Sequence, residues 1–227
     1  MNLVNTQTNS KSQLFAGDFP RVLVPVSIVP GAGVLTAGTI LGKIEKGAAS
    51  KAVKDGGNTG DGTLTLDSTT PILSGAQAGV YKIRVIRSAV AQVGTSPVVP
   101  AQKAVAKLED PKGNVLEIFD VSTTPGVTIT NHIKFTIVEG SAPFALGDGF
   151  DITIAAGSGK YKAYDDDETD GSETAVLILS EDIDASSTEV KTTAYASGHF
   201  NTAALTGLDD EAVNDFAGTA IFFGNVS

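Results

Sequence analysis

The residues best equipped for chemistry are carboxylates. Asp165, Asp166, Asp167, Glu168, Asp170 and Glu173 crowd one short stretch of the chain. A hard cation such as calcium takes several oxygen ligands. The alternating carboxylates around a central glycine that mark a calcium loop are missing here, however. The stretch reads as a solvated acidic loop or as a contact for a basic partner. His132 and His199 are the two histidines, and each reads as structural, His132 opening a strand and His199 closing one. The chain has no cysteine, which removes thiolate nucleophiles, disulfides and cysteine metal sites. No Ser-His-Asp pattern supports a hydrolase triad. Two carboxylates suffice for glycoside hydrolysis, but the acidic residues sit among turns and there is no tryptophan to line a sugar groove. Gly31, Gly33, Gly38, Gly56, Gly57, Gly60 and Gly62 do not precede a Lys-Ser/Thr pair at phosphate-loop spacing, so they are turn glycines. The expectation is a non-enzyme with no catalytic residue, cofactor or metal.

Charge is distributed unevenly over the 227 residues and their net −10. Residues 1–58 carry a net +3, residues 59–158 a net −2 and residues 159–227 a net −11. Direct nucleic-acid binding needs a basic footprint, and that balance argues against it. No run of about 20 apolar residues is present, so no membrane span is expected. No charged start leading into an apolar run suggests a secretory leader. With 41% apolar residues and 25 glycines, the composition suits many short strands joined by turns.

Residues 1–18 are polar and lack periodicity, with Leu14 and Phe15 as apolar anchors that a purely solvated tail would not need. Residues 21–29 form a strong β run. Pro25 removes a ladder donor, which calls for an edge or a bend. Residues 39–44 give another strand, and the polar stretch 45–58 reads as the exit from one folding unit. Strands are then expected at 62–66, 79–90, 104–110, 114–120, 132–138 and 150–155. In the longest of them Tyr81, Ile83, Val85 and Arg87 alternate onto one face. Such a block makes a β-sandwich or barrel that folds alone. Further strands are expected at 160–164, 174–179 and 189–196, with 174–179 buried on both faces and 181–188 as an acidic, turn-rich link. Asn201 caps a short turn. Asp209 opens a helix whose first turn holds Asp210 and Glu211. Its apolar face is Leu208, Ala212, Val213 and Phe216, and Gly218 ends it. Ile221, Phe222 and Phe223 supply a terminal strand.

The opening segments AGDFPRVLVPVSI and TAGTILGKI resemble the phage lambda-like head decoration protein family. So do the closing segments SGKYKAYD, DGSETAVLILSEDIDA, AYASGHFN and AALTGLDDEAV, in the family's order. Between them lies an insert that resembles β modules of larger phage virion proteins. The resemblance implies a mainly β fold: a β-tulip-like head decoration domain with a short C-terminal helix, plus an inserted β-sandwich or barrel. The implied divisions are an arm at 1–20, a discontinuous decoration domain at 21–57 and 158–227, and an inserted domain at 58–157. Insertion into an exposed loop is thermodynamically cheap.

It also implies a homotrimer on the outer surface of the phage head, made in the host cytoplasm and bound to the major capsid protein. Trimers at three-fold and quasi-three-fold sites would hold the expanded shell against internal DNA pressure. The arm would pair with a capsid strand through main-chain hydrogen bonds. Leu14, Phe15, Phe19 and Pro20 are the residues expected at the capsid-binding arm. Two alternatives stand beside this: adhesion through a host-surface ligand of the inserted domain, and a tail tube or fibre subunit that polymerises instead of closing.

Overall fold

The computed structural model describes residues 13–90 and 101–226. The chain folds into two units, residues 1–44 with 159–227 and residues 45–158. The first unit opens with β1 (Val22–Ile28), β2 (Gly33–Leu35) and β3 (Ile40–Lys43). The second holds β4 (Lys46–Val53), β5 (Thr63–Leu66), β6 (Gly79–Arg87) and β7 (Val105–Glu109). It continues with β8 (Val115–Asp120), β9 (Val127–Asn131), β10 (Ile133–Val138) and β11 (Gly149–Ala156). The chain returns to the first unit with β12 (Tyr161–Ala163), β13 (Ala175–Leu179), β14 (Ile183–Ala185) and β15 (Val190–Asn201). One helix, α1 (Asp210–Asp215), and β16 (Ala220–Gly224) close it.

Five strands of the first unit form a ring. β1 pairs antiparallel with β15 from Val22↔Ser197 to Ile28↔Val190. β15 pairs β13, β13 pairs β3 and β3 pairs β12. β12 returns to β1 at Ile28↔Tyr161. Closure of this kind removes open sheet edges. β16 extends the sheet by pairing parallel to the last residues of β15, from Ser197↔Ala220 to Asn201↔Gly224. The barrel buries Val26, Ile28, Leu41, Leu179 and Ala194. Beside them a second cluster joins Ile40, Ile178, Phe200 and Ile221 to Phe216 at the C-cap of α1.

Pro25 is accommodated where its missing N–H does no harm. Val29, on the same side of the chain as other odd-numbered residues, donates to the Tyr161 carbonyl, away from β15. By the period of two, Pro25 also turns its nitrogen away from β15. The helix buries Ala212 and Phe216, and Leu208 packs on the same cluster. Val213 instead remains 42% exposed, so the apolar face is the narrower i, i+4 stripe 208, 212 and 216. β13 is not buried on both faces throughout, because Val176 is 37% exposed.

The second unit is a β-sandwich. A five-stranded sheet in the order β4-β11-β6-β7-β8 and a three-stranded sheet in the order β5-β10-β9 share one core. Tyr81, Ile83, Val85, Leu108 and Ile152 from the first sheet meet Leu64, Ile133, Phe135 and Ile137 from the second. The alternation expected in β6 holds through Val85. A register shift then releases Arg87 to solvent.

The stretch 45–58, expected to be an exit, contributes β4, which pairs with β11 from Val53↔Phe150 onward. Its residues are mostly Lys, Ala, Gly and Ser, which give no β signal of their own. The apolar neighbour β11 decides its conformation. The unit therefore runs 45–158, where the sequence suggested 58–157. Its ends meet, since the Gly157 N–H donates to the Glu45 carbonyl at 2.8 Å. Among the described residues no helix is long and apolar enough to cross a membrane.

Candidate functional site

The four residues singled out for the arm come together on β15 and β16. The Leu14 carbonyl accepts the Asn201 N–H at 2.9 Å, and the Ala16 N–H donates to the His199 carbonyl at 2.9 Å. Phe15 bridges antiparallel to Phe200. Residues 14–16 thus form a short antiparallel pairing with the end of β15. Residues 1–12 of the expected arm lie outside the described residues.

Side chains reinforce that pairing. Phe15 meets Tyr195 edge-on, with ring centres 5.3 Å apart, and Phe200 at 5.4 Å; Tyr195 and Phe200 are themselves 5.5 Å apart. Aromatic pairs at such distances add stabilisation beyond their area burial. The Arg21 guanidinium lies 4.2 Å from the Phe15 ring centre, a cation–π contact. Phe19 packs edge-on against Phe222 at 4.8 Å. The Pro20 ring is exposed, but its carbonyl accepts the Ser197 hydroxyl at 2.9 Å. The Ser197 oxygen in turn accepts the Val22 N–H at 2.9 Å.

Buried Asn201 completes the mount, its amide donating to the Gln13 carbonyl at 3.0 Å. An open groove of about 360 Å³ runs along the base, lined by Gln13, Phe15, Ala16, Gly17, Asp18 and Arg21. Ser197, His199, Asn201 and Phe222 belong to this site, and sequence reasoning did not assign them to it. His199 does not close its strand as expected, because β15 runs on to Asn201.

The acidic loop is a different arrangement. The Lys162 ammonium pairs with Glu168 at 2.8 Å and with Asp170 at 3.0 Å. Burial works against ionisation of Asp170. Hydrogen bonds from the Ser172 hydroxyl and N–H, together with Lys162, outweigh it and hold the carboxyl below its usual range. Carboxylate oxygens of Asp165, Asp166 and Asp167 lie within 4.8 Å of one another, as do those of Asp166, Asp209 and Glu211, and all are exposed. Exposed carboxylates so arranged are ordinary on an acidic surface.

The two histidines fall in different units. His132 sits in the tight turn between β9 and β10 with φ 58°, its Nδ1 3.5 Å from the Tyr81 hydroxyl. It is a turn residue and does not open β10 as expected. His199 lies inside β15.

The family profile described as HDPD, bacteriophage lambda head decoration protein D, matches residues 3–221. No curated protein matches the chain. Among solved structures, FlgL of Xanthomonas campestris aligns at 15% identity with a TM-score of 0.31, over 56% of this chain and 34% of its own. This chain therefore spans about a third of that protein, and a likeness so slight carries no structural or functional weight.

Proposed function

Because the chain belongs to the bacteriophage lambda head decoration protein D family, we propose that it binds the expanded phage head as trimers at three-fold and quasi-three-fold sites. There it stabilises the shell against internal DNA pressure. The family assignment makes it a structural phage head protein of the virion, not an enzyme, and implies contact with capsid components. In the proposed mode residues 1–20 are the gripping arm. The partner is the major capsid protein, and main-chain hydrogen bonds to one of its strands supply most of the contact.

One observation carries this reading. Residues 14–16 are already paired to the end of β15, and Phe15, Phe19 and Pro20 are each fastened to β15 or β16. A chain delivered from a fixed strand end has less ordering entropy to lose on pairing with another strand. The polar, weakly charged sequence MNLVNTQTNSKS ahead of the mount suits recognition through the backbone more than through side chains.

Deleting residues 1–12 spares the contacts described above for residues 13–22. Purified expanded capsids of the matching phage, sedimented with the truncated protein, should carry little or none of it, while its circular dichroism stays that of the full chain. Undiminished co-sedimentation would remove the arm from the account.

A further inference from the structure

We infer that His199 is the positioning residue of the arm: its imidazole is wedged between the backbone at Gly17 and the backbone at Gly224, and so fixes where and in which direction the arm leaves the barrel. This deepens the arm reading above and rests on it.

The two glycines carry the inference. A Cβ at Gly17 would lie 2.5 Å from His199 Nδ1, and a Cβ at Gly224 would lie 2.5 Å from His199 Nε2. Real side chains do not approach so closely, so each ring nitrogen occupies the space where a side chain would stand. Many glycines of this chain, such as Gly31 and Gly218, answer to a left-handed turn conformation, with φ 87° and 82°. Gly17 and Gly224 do not have positive φ. Turn geometry therefore does not explain them, and the ring does.

The half-buried ring is flanked by both glycines, and a Cβ at Gly224 would also meet the Ala16 side chain at 3.4 Å. The same residue holds the arm by its backbone, because its carbonyl accepts the Ala16 N–H at 2.9 Å. Its cross-strand partner on β16 is Phe222, the residue that packs on Phe19. Backbone pairing alone would be satisfied by any strand-forming residue at 199. A flat ring between two bare Cα positions additionally sets the spacing between the arm base and β16. The C-terminal strand thereby becomes part of the arm's mount.

The test uses the full-length protein with two readouts: amide hydrogen exchange at Ala16 and Asn201, and co-sedimentation with expanded capsids. Gly17→Ala should speed exchange at Ala16 and weaken capsid binding about tenfold through lost preorganisation. Removing the ring in the same chain, as Gly17→Ala with His199→Ala, vacates the space the new methyl needs. That double variant should bind more tightly than Gly17→Ala alone. Losses that simply add would overturn the wedge.

If Gly17→Ala does not fold, His199→Ala introduces no clash and must by itself speed Ala16 exchange and weaken binding; unchanged values overturn the inference. Truncation of residues 1–12 separates the two readings. Binding lost on truncation but kept in Gly17→Ala overturns the wedge alone. Binding kept on truncation overturns the arm reading, and the exchange rates at Ala16 then still decide the role of His199.

Discussion

The Tyr164 hydroxyl donates to Asp209 Oδ1 at 3.2 Å, and that same oxygen accepts the backbone N–H of Ala212 at 2.7 Å. One carboxylate thus caps α1 and ties it to the residue that follows β12. Asp209 provides both the cap of the helix and the partner of a phenol that is only 7% exposed.

Removing the phenol oxygen with Tyr164→Phe should cost about 1 kcal/mol, the usual net worth of one hydrogen bond. Asp209→Ala should cost about 2 kcal/mol or more, since a cap is lost and a buried hydroxyl is left without its partner. Chemical denaturation of the two variants checks the order. Burial first, then the hydrogen bond and charge of Asp209, raise the Tyr164 pKa above its ordinary 10.0. A raised pKa contributes stability that is complete below the unfolded value and is lost as pH climbs above it. Stability should therefore decline above about pH 10, and less steeply in Tyr164→Phe.

The inserted unit should lose stability at the opposite end of the pH scale. Buried Asp148 accepts N–H groups from Thr59, Gly60 and Ala145, each at 2.9 Å. Burial opposes its ionisation, but those donors prevail and its pKa falls below 3.8. Asp61, Asp67 and Asp110 are also lowered, chiefly by hydrogen bonds from Ser141, Thr70 and Asn114 respectively. A lowered carboxyl pKa contributes stability present above the unfolded value and lost as pH falls through the folded one. Thermal midpoints should hold steady above about pH 5 and drop below about pH 4. Asp148→Ala, which strands three donors, should cost about 2–4 kcal/mol at neutral pH.

The two units should also part cleanly. The Gly157 N–H meets the Glu45 carbonyl at 2.8 Å, and the Gly159 N–H meets the Ile44 carbonyl at 2.9 Å. Both cut ends of each unit therefore lie side by side. Residues 45–158 expressed alone should unfold in one cooperative transition, because they contain a whole core. Joining residue 44 to residue 159 through a short glycine-serine bridge should leave a folded barrel that still binds expanded capsids. A bridged protein that folds but does not bind would give the inserted unit a part in decoration.

Gly42 tests the closure of the barrel. A side chain there would collide with the backbone of Ser172, which is fully buried. Backbone cannot swing aside as a side-chain tip does. Gly42→Ala should therefore destabilise the barrel by about 3 kcal/mol or more, a cost typical of core overpacking at its upper end, measured as a fall in the denaturation midpoint.

Much of the fold is legible in the sequence where one physical signal dominates. Alternation in Tyr81, Ile83 and Val85 finds β6, and Asp209 with Asp210 and Glu211 finds α1. The signal fails where a neighbour supplies the reason for a strand. β4 is made by β11, and β14 is a three-residue strand made by pairing with β2 inside an acidic stretch. The candidate site was half legible. Apolar Leu14, Phe15 and Phe19 stand out in a polar segment, so their packing against the rest of the fold can be read directly. Their receptors cannot, because Ser197, His199 and Phe222 lie about 180 to 200 residues downstream and only the barrel brings them to the arm.

Imaging the decorated shell tests most directly whether the protein decorates the expanded head through its N-terminal arm. Purified expanded capsids of the matching phage should be incubated with the full-length protein and examined by cryo-electron microscopy. Trimeric density is expected above the three-fold and quasi-three-fold positions, with residues 1–20 laid along a strand of the major capsid protein. Bare three-fold positions at saturating protein, or trimers seated with the arm turned away from the shell, would contradict it.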